Sequence, residues 1–441
     1  MAFGRIPLLL VVLGPAVAWA QHPSPPTEGE DRRVELRVST EIKAGVRWSK
    51  HDRLPLDFPF PPEFVPVGEP NVALETVAPG SSLELSKATV FLDAALPRSI
   101  AAHAKIDFVD LYDRNPTSTD ANVDVDEAWV SVGRRWDPLG PLPAKAFYVL
   151  LGKAPKLERQ PVRRLESYGL VGTAFNRFPD LQLQAGAALG AHVYLIGQIS
   201  NGNPIFMRDP NALAGDRGTD LPPRPDPKLH SGFPIFYHAE VEELERDDHF
   251  EYGGAAGLRF GREDRDRSID VLAFAYRTTL SKAAKLRGTF YEGDLDLLAG
   301  AGIPLPVRGT KRTEGGLNLN VRLGEFLAFG QLVKEESAGL PRTGFEAELA
   351  WRLVLGDLGD PGDLFPAIQP AVRYSRLDND FSAPPGFIVP TAVWDWRRWD
   401  VGARLTIVKR LDLTVEYAHN EIASPRPIHH DEVLGTLRFR F

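Results

Sequence analysis

The chain ends Glu432-Val-Leu-Gly-Thr-Leu-Arg-Phe-Arg-Phe441. Counted back from the terminus, Phe441, Phe439, Leu437 and Gly435 fall on one side of an extended strand. Arg440, Arg438, Thr436 and Leu434 fall on the other, because strand side chains alternate with a period of two. One face is apolar and the other mostly cationic. The same alternation begins at Val34: Val34, Leu36, Val38, Thr40, Ile42, Ala44, Val46 and Trp48 share one face, and Glu35, Arg37, Ser39, Glu41, Lys43, Gly45 and Arg47 the other. Such a run exceeds the ~5–6 residues of an average globular strand and suits a tilted bilayer span of ~9–11.

Met1 to Ala20 carries Arg5, an apolar run from Ile6 to Leu13, then Gly14-Pro15, and small residues at Ala18 and Ala20 before Gln21. That is the pattern of a secretory signal over residues 1–20. The run falls well short of the ~20 residues of a spanning helix, and no later stretch reaches that length. Residues 21–33 read as a polar, Pro-rich leader, too short for a plug domain, and 34–441 as the strand-rich domain. Cysteine is absent, which excludes disulfide scaffolds and thiolate metal sites, and nothing implies a cofactor. Lys and Arg number 51 against 59 Asp and Glu, a net charge of −8 that argues against a nucleic-acid partner. With 39 Gly and 38 Pro in 441 residues, the punctuation is that of many strands joined by turns and loops.

Alternating segments recur at 34–48, 82–95, 99–112, 122–133, 145–152, 181–188, 191–199, 249–260, 267–277, 313–323, 325–335, 343–355, 367–377, 398–408, 411–421 and 432–441. The fold class is therefore all-β: a transmembrane antiparallel β-barrel of about 16 strands. Counting Thr289 to Leu298 as a further strand leaves 18 as the alternative. Connections are mostly tight on one side, as at Pro97-Arg98, Gly190, Gly324 and Arg410, while the long ones, 49–81, 153–180, 200–248 and 278–312, lie on the other. Outer-membrane barrels have this asymmetry. Aromatics sort by strand end into two interfacial girdles. Trp48, Phe250, Tyr252, Tyr276, Tyr374, Trp399 and Tyr417 form the outer one, and Phe147, Phe260, Phe326, Phe439 and Phe441 the inner.

With its export signal and its terminal outward Phe, the chain resembles the Gram-negative outer-membrane porins. The resemblance implies an outer-membrane location and passive diffusion of small hydrophilic solutes through the barrel. It also implies a terminal aromatic, Phe441, read by the barrel-assembly machinery, contact with outer-membrane lipid and lipopolysaccharide, and a homotrimer. A barrel of this size leaves an aqueous channel. Its predicted polar wall includes Arg37, Lys43, Arg47, Arg322, Arg352, Arg373 and Arg404. In general porins the third outer loop folds inward and narrows the channel. Here that loop, 153–180, carries Lys153, Lys156, Arg159, Arg163, Arg164 and Arg177 against Glu158, Glu166 and Asp180. General porins tend to have an acidic third loop, so their selectivity does not transfer. The basic loop leans, in charge alone, toward phosphate-selective porins. It predicts a constriction lined by Lys153, Lys156, Arg159, Arg163 and Arg164 that favours anions; a loop folded outward is the alternative.

Two other features admit bland readings. Asp209, Asp216 and Asp220, with Glu240, Glu242, Glu243, Glu245, Asp247 and Asp248, form either a solvated acidic loop or a site for cations that bridge lipopolysaccharide. His429-His430-Asp431-Glu432 suggests a metal, but neighbours on an extended chain point apart, so none is predicted. A barrel lipase or protease, with His419, His429, His430 and Asp431 as candidates at one rim, is the competing class. A structural barrel or adhesin is a third.

Overall fold

Sixteen antiparallel strands close on themselves in the computed structural model, which describes residues 34–50, 53–55, 67–68, 70, 73–75, 80–96, 99–110, 123–175, 177, 179–202, 249–261, 267–279, 311–337, 339–380, 395–423 and 427–441. In chain order they are β1 Glu35–Ser49, β2 Gly80–Leu96, β3 Ile100–Asp110, β4 Asp124–Gly133, β5 Lys145–Ala154, β6 Asp180–Leu189, β7 Val193–Ser200 and β8 Glu251–Gly261. The second half is β9 Arg267–Thr279, β10 Lys311–Leu323, β11 Phe326–Ser337, β12 Leu340–Trp351, β13 Ala367–Asn379, β14 Asp395–Val408, β15 Leu411–Ala423 and β16 Ile428–Arg440. β12 continues past Arg352 as Leu353–Val354, paired with β13. A two-stranded ribbon, Arg53–Pro55 with Ala73–Glu75, stands apart from the barrel sheet.

Each strand pairs with its neighbours in sequence, and β16 returns to β1 with Arg440 opposite Glu41 and Leu437 opposite Ala44. Phe441 extends that seam: its N–H donates to the Thr40 carbonyl at 3.1 Å, and the Thr40 N–H donates to its carbonyl at 2.7 Å. Closure leaves no sheet edge, as a lipid environment requires. The seventeenth-strand candidate, Thr289 to Leu298, lies outside the described residues, as do the signal, the leader and the acidic run 203–248; the described strands close at sixteen.

The faces follow the alternation. Leu36, Val38, Ile42 and Val46 of β1 and Leu437 and Phe439 of β16 are exposed on the outside, while Glu41, Arg47, Thr436 and Arg438 are buried inside. Both girdles are visible, with Trp48, Tyr252, Trp399 and Tyr417 exposed at the outer ends and Phe147, Phe260, Phe439 and Phe441 at the inner. Tyr276 is a correction. It was expected in the outer girdle, but with Leu272 and Phe274 it points into the barrel and is buried. The change of phase within 122–133 is a β-bulge: Lys105 pairs with Glu127 and Ile106 with Val125, so Asp126 and Glu127 both turn inward.

Candidate functional site

The connection between β5 and β6 enters the lumen and crosses it, and its apolar residues set the route. Leu170, Val171 and Ala174 of a short helix, α1 (Leu170–Ala174), together with Phe175, pack against Phe274, Tyr276, Val333, Leu377, Trp396 and Ile422 of the wall. Leu165 sits on Ala350 and Ala371. The wall is cut to receive them. A Cβ on Gly344 would run into the Phe175 ring, and one on Gly402 would come within 2.9 Å of Leu165 Cδ2. Burying Leu165, Leu170, Val171 and Phe175 stabilises the inward loop by roughly 6–12 kcal/mol as an upper bound.

A second connection fills the same side from the inner end. Trp136, between β4 and β5, meets Tyr148 edge-on at 5.0 Å and Tyr194 at 5.7 Å, and Leu142 is buried with them. Arg259 Nη1 donates to the carbonyls of Asp137 at 2.8 Å and Gly140 at 3.2 Å. These contacts satisfy backbone acceptors that would otherwise be stranded in the barrel.

Charges on this side are sealed and matched. Lys156 Nζ meets Glu251 at 2.8 Å, and Arg177 bridges Glu158 at 3.1 Å and Glu314 at 2.6 Å. The Glu158 carbonyl accepts from Asn318 at 2.6 Å and Gln331 at 2.8 Å, and its carboxylate from the Tyr276 hydroxyl at 2.6 Å. Arg373, fully buried, donates from Nε to Asp400 at 3.0 Å and from Nη1 to the Ser167 carbonyl at 3.1 Å. Ser167 Oγ in turn bonds Asp400 and Glu416.

The opposite side, β1–β3 with the inner ends of β14–β16, presents charges that stay partly open. Lys43 keeps 13% of its side-chain exposure, Lys87 14% and Asp93 14%; facing them, Arg159 of the loop keeps 33%. Signs alternate around this wall. Arg440 donates to Glu41 at 2.8 Å, Arg438 to Asp412 at 2.6 Å, and Lys105 to Asp126. Lys43 and Arg404 both reach Glu166 of the loop, at 2.8 and 3.2 Å. His103 lies between Asp93 at 2.7 Å and Glu127 at 3.7 Å and stacks on Trp129 at 5.3 Å.

Of the predicted constriction residues, the structure brings Arg159 and Arg163 to the partly open side, Arg163 stacked 3.7 Å over the Tyr168 ring. Lys156 and Arg164 are buried. Lys153 is a correction: it shares the outward face of Phe147 and Leu151 and reaches Asp124 at 3.8 Å and the Val125 carbonyl at 2.8 Å, because the strand runs two residues beyond its expected end. Of the predicted wall, Arg373 is a second correction, sealed beneath the loop. Lys43 and Arg404 meet Glu166. Arg47 faces Glu432 at 3.6 Å, and Arg37 pairs with Glu35 at 3.3 Å. Arg352 pairs with Glu325 at 3.0 Å. Sequence reasoning missed Trp136, Phe274 and Trp396. The run Val271-Leu-Ala-Phe-Ala-Tyr276, apolar on both faces, was the available signal that something covers the lumen side there.

At the outer rim, β15 and β16 split the histidines by face. His430 and Glu432 turn inward, while His419 and His429 stack outside at 5.7 Å, with Asp431 2.6 Å from His419 Nδ1 and 2.8 Å from the Tyr417 hydroxyl.

No protein-family model matches the sequence, and no curated protein matches it. Solved structures do. The outer-membrane channel DcaP of Acinetobacter baumannii superposes with a TM-score of 0.54 at 9% identity, over 92% of this chain and 97% of that one. The fold is that of a porin-like outer-membrane barrel. Looser matches are OmpT, an outer membrane protein of Vibrio cholerae (TM-score 0.47, 9% identity, 94% and 99% covered), and Pseudomonas aeruginosa OpdK, solved with vanillate (0.40, 10%, 92% and 98%). At 9% identity the likeness to DcaP extends to the barrel fold alone.

Proposed function

We propose that the protein is an outer-membrane channel for passive diffusion of small hydrophilic solutes, with a preference for anions. The observation that carries the reading is the divided lumen. One side is packed by the third outer loop, and the other keeps a wall of partly exposed charges facing Arg159 and Arg163. Low-dielectric walls concentrate the field of such charges, and at 0.1 M salt charges farther than about 10 Å away are largely screened. A homotrimer, lipopolysaccharide around the outer rim, and reading of Phe441 by the barrel-assembly machinery belong to the same proposal.

Purified protein in a planar bilayer tests it. Large ohmic steps and an anion-selective reversal potential across a KCl gradient are expected, and Arg159→Glu with Arg163→Glu should move that potential toward cations. Absence of steps removes the channel. An unchanged potential in the double variant removes the loop from the ion path.

A further inference from the structure

The pleat splits the run His429-His430-Asp431-Glu432, and the histidine that meets His429 comes from the neighbouring strand. On the outward face of β15 and β16, His419 stands opposite Asp431 and Glu421 opposite His429, so four metal-ligating residue types form a square. His430 and Glu432 are buried on the inward face. The two outward imidazoles are nearly parallel, 16° apart in plane, with centroids 5.7 Å apart. His419 keeps 34% of its side-chain exposure and His429 is exposed, so both are open to ions from the medium.

Hydrogen bonding decides which His419 nitrogen is available. Asp431 Oδ1 accepts from the Tyr417 hydroxyl at 2.8 Å and lies 2.6 Å from His419 Nδ1. A carboxylate only accepts, so Nδ1 carries the proton and Nε2 of the neutral ring keeps its lone pair. A carboxylate placed in this way fixes the ring and raises the basicity of the far nitrogen, which is how metal-binding histidines are commonly supported. The spacing fits too. With metal–nitrogen bonds of about 2.0–2.1 Å, two imidazoles on one tetrahedral ion have ring centres about 5 Å apart, within a small side-chain rotation of the separation here.

The neighbouring charges select the class of ion. Lys50 lies 3.9 Å from Asp431, and Arg397 stands opposite Glu421 across β14. A hard ion such as calcium needs about six to eight oxygen ligands, and these cations oppose it. Neutral imidazoles suit zinc, copper and nickel instead.

We infer that His419 and His429, with Glu421 beside them and Asp431 behind His419, bind a divalent transition-metal ion of the imidazole-preferring class, Zn²⁺ or Cu²⁺. Bound there, the ion ties together the outer ends of the last two strands. The site lies on the outside of the barrel and stands whether or not the barrel conducts.

The folded full chain in detergent, stripped with a chelator, is titrated calorimetrically with Zn²⁺, and its Cu²⁺ form is read by electron paramagnetic resonance. Saturable Zn²⁺ binding is expected, with Cu²⁺ coupled to two imidazole nitrogens. His419→Asn and His429→Asn should each weaken Zn²⁺ binding about tenfold or more and leave one coupled nitrogen, and Asp431→Asn should weaken it about 10–100-fold. His192→Asn, at the exposed inner turn between β6 and β7, should bind as wild type. Heat-modifiable gel mobility checks folding, and either histidine variant alone suffices. Absence of saturable binding, wild-type affinity in a folded His419 or His429 variant, or an equal loss in His192→Asn would overturn the assignment.

Discussion

The two sides of the lumen use similar charged residues under opposite conditions. On the packed side, Arg373 and Asp400 of the wall and Glu158 of the loop are wholly buried and tie the loop to the wall. On the open side, Lys43, Lys87 and Asp93 retain access to water. The difference is the hydrophobic cluster around Phe175, which excludes water on one side and turns ion pairs there into structural ties. A buried pair that loses one partner leaves an uncompensated charge, costing about 3–5 kcal/mol, whereas exposed pairs are worth about 0–1 kcal/mol.

Phe175→Ala should break the contrast most strongly. Emptying the Gly344 socket is expected to cost about 3–5 kcal/mol in urea unfolding, and to raise single-channel conductance as the loop loosens. Lower stability with unchanged conductance would mean that the loop holds its place without its apolar anchor.

The outer surface supplies the next test, because lipid contact is common to both sides. Leu319→Arg, on the lipid face of β10, and Leu405→Arg, on that of β14, should each destabilise by about 2–4 kcal/mol near the midplane. Their lumen-facing neighbours, through Asn320→Lys and Arg404→Leu, should be much milder. Equal sensitivity on both faces would contradict the alternation seen along these strands.

The smallest effect on stability is the sharpest discriminator between the two sides. The chain has no cysteine, so single cysteines can be placed without background. Lys43→Cys and Lys87→Cys should react with a charged thiol reagent and change the current, while Val333→Cys and Leu377→Cys should resist it. Comparable reactivity at all four positions would show that the packed side is flooded.

Strand number and the facing of β1 and β16 were legible in the sequence, because a period of two in contact with lipid leaves little choice of phase. The inward loop was expected only from resemblance. Its charges suggested a basic constriction, but charge along a loop does not say which residue meets water. Lys156 and Arg177 are neutralised by Glu251 and Glu314, partners about 95 and 137 positions away in the chain, and that pairing has no local signature. Tyr276 was misplaced for the same reason. A both-sided apolar strand reads as membrane-facing until something inside the barrel is known to cover it.

Alternation and end-sorted aromatics, properties of single strands against a bilayer, determined by themselves that this chain would close as a barrel with Phe441 on its seam. Tertiary structure alone decided that the barrel would be half filled. The fit of Leu165 over Gly402 and of Phe175 over Gly344 depends on which wall positions face the loop after closure. Those meetings depend on register around a closed sheet, which short-range sequence patterns do not encode.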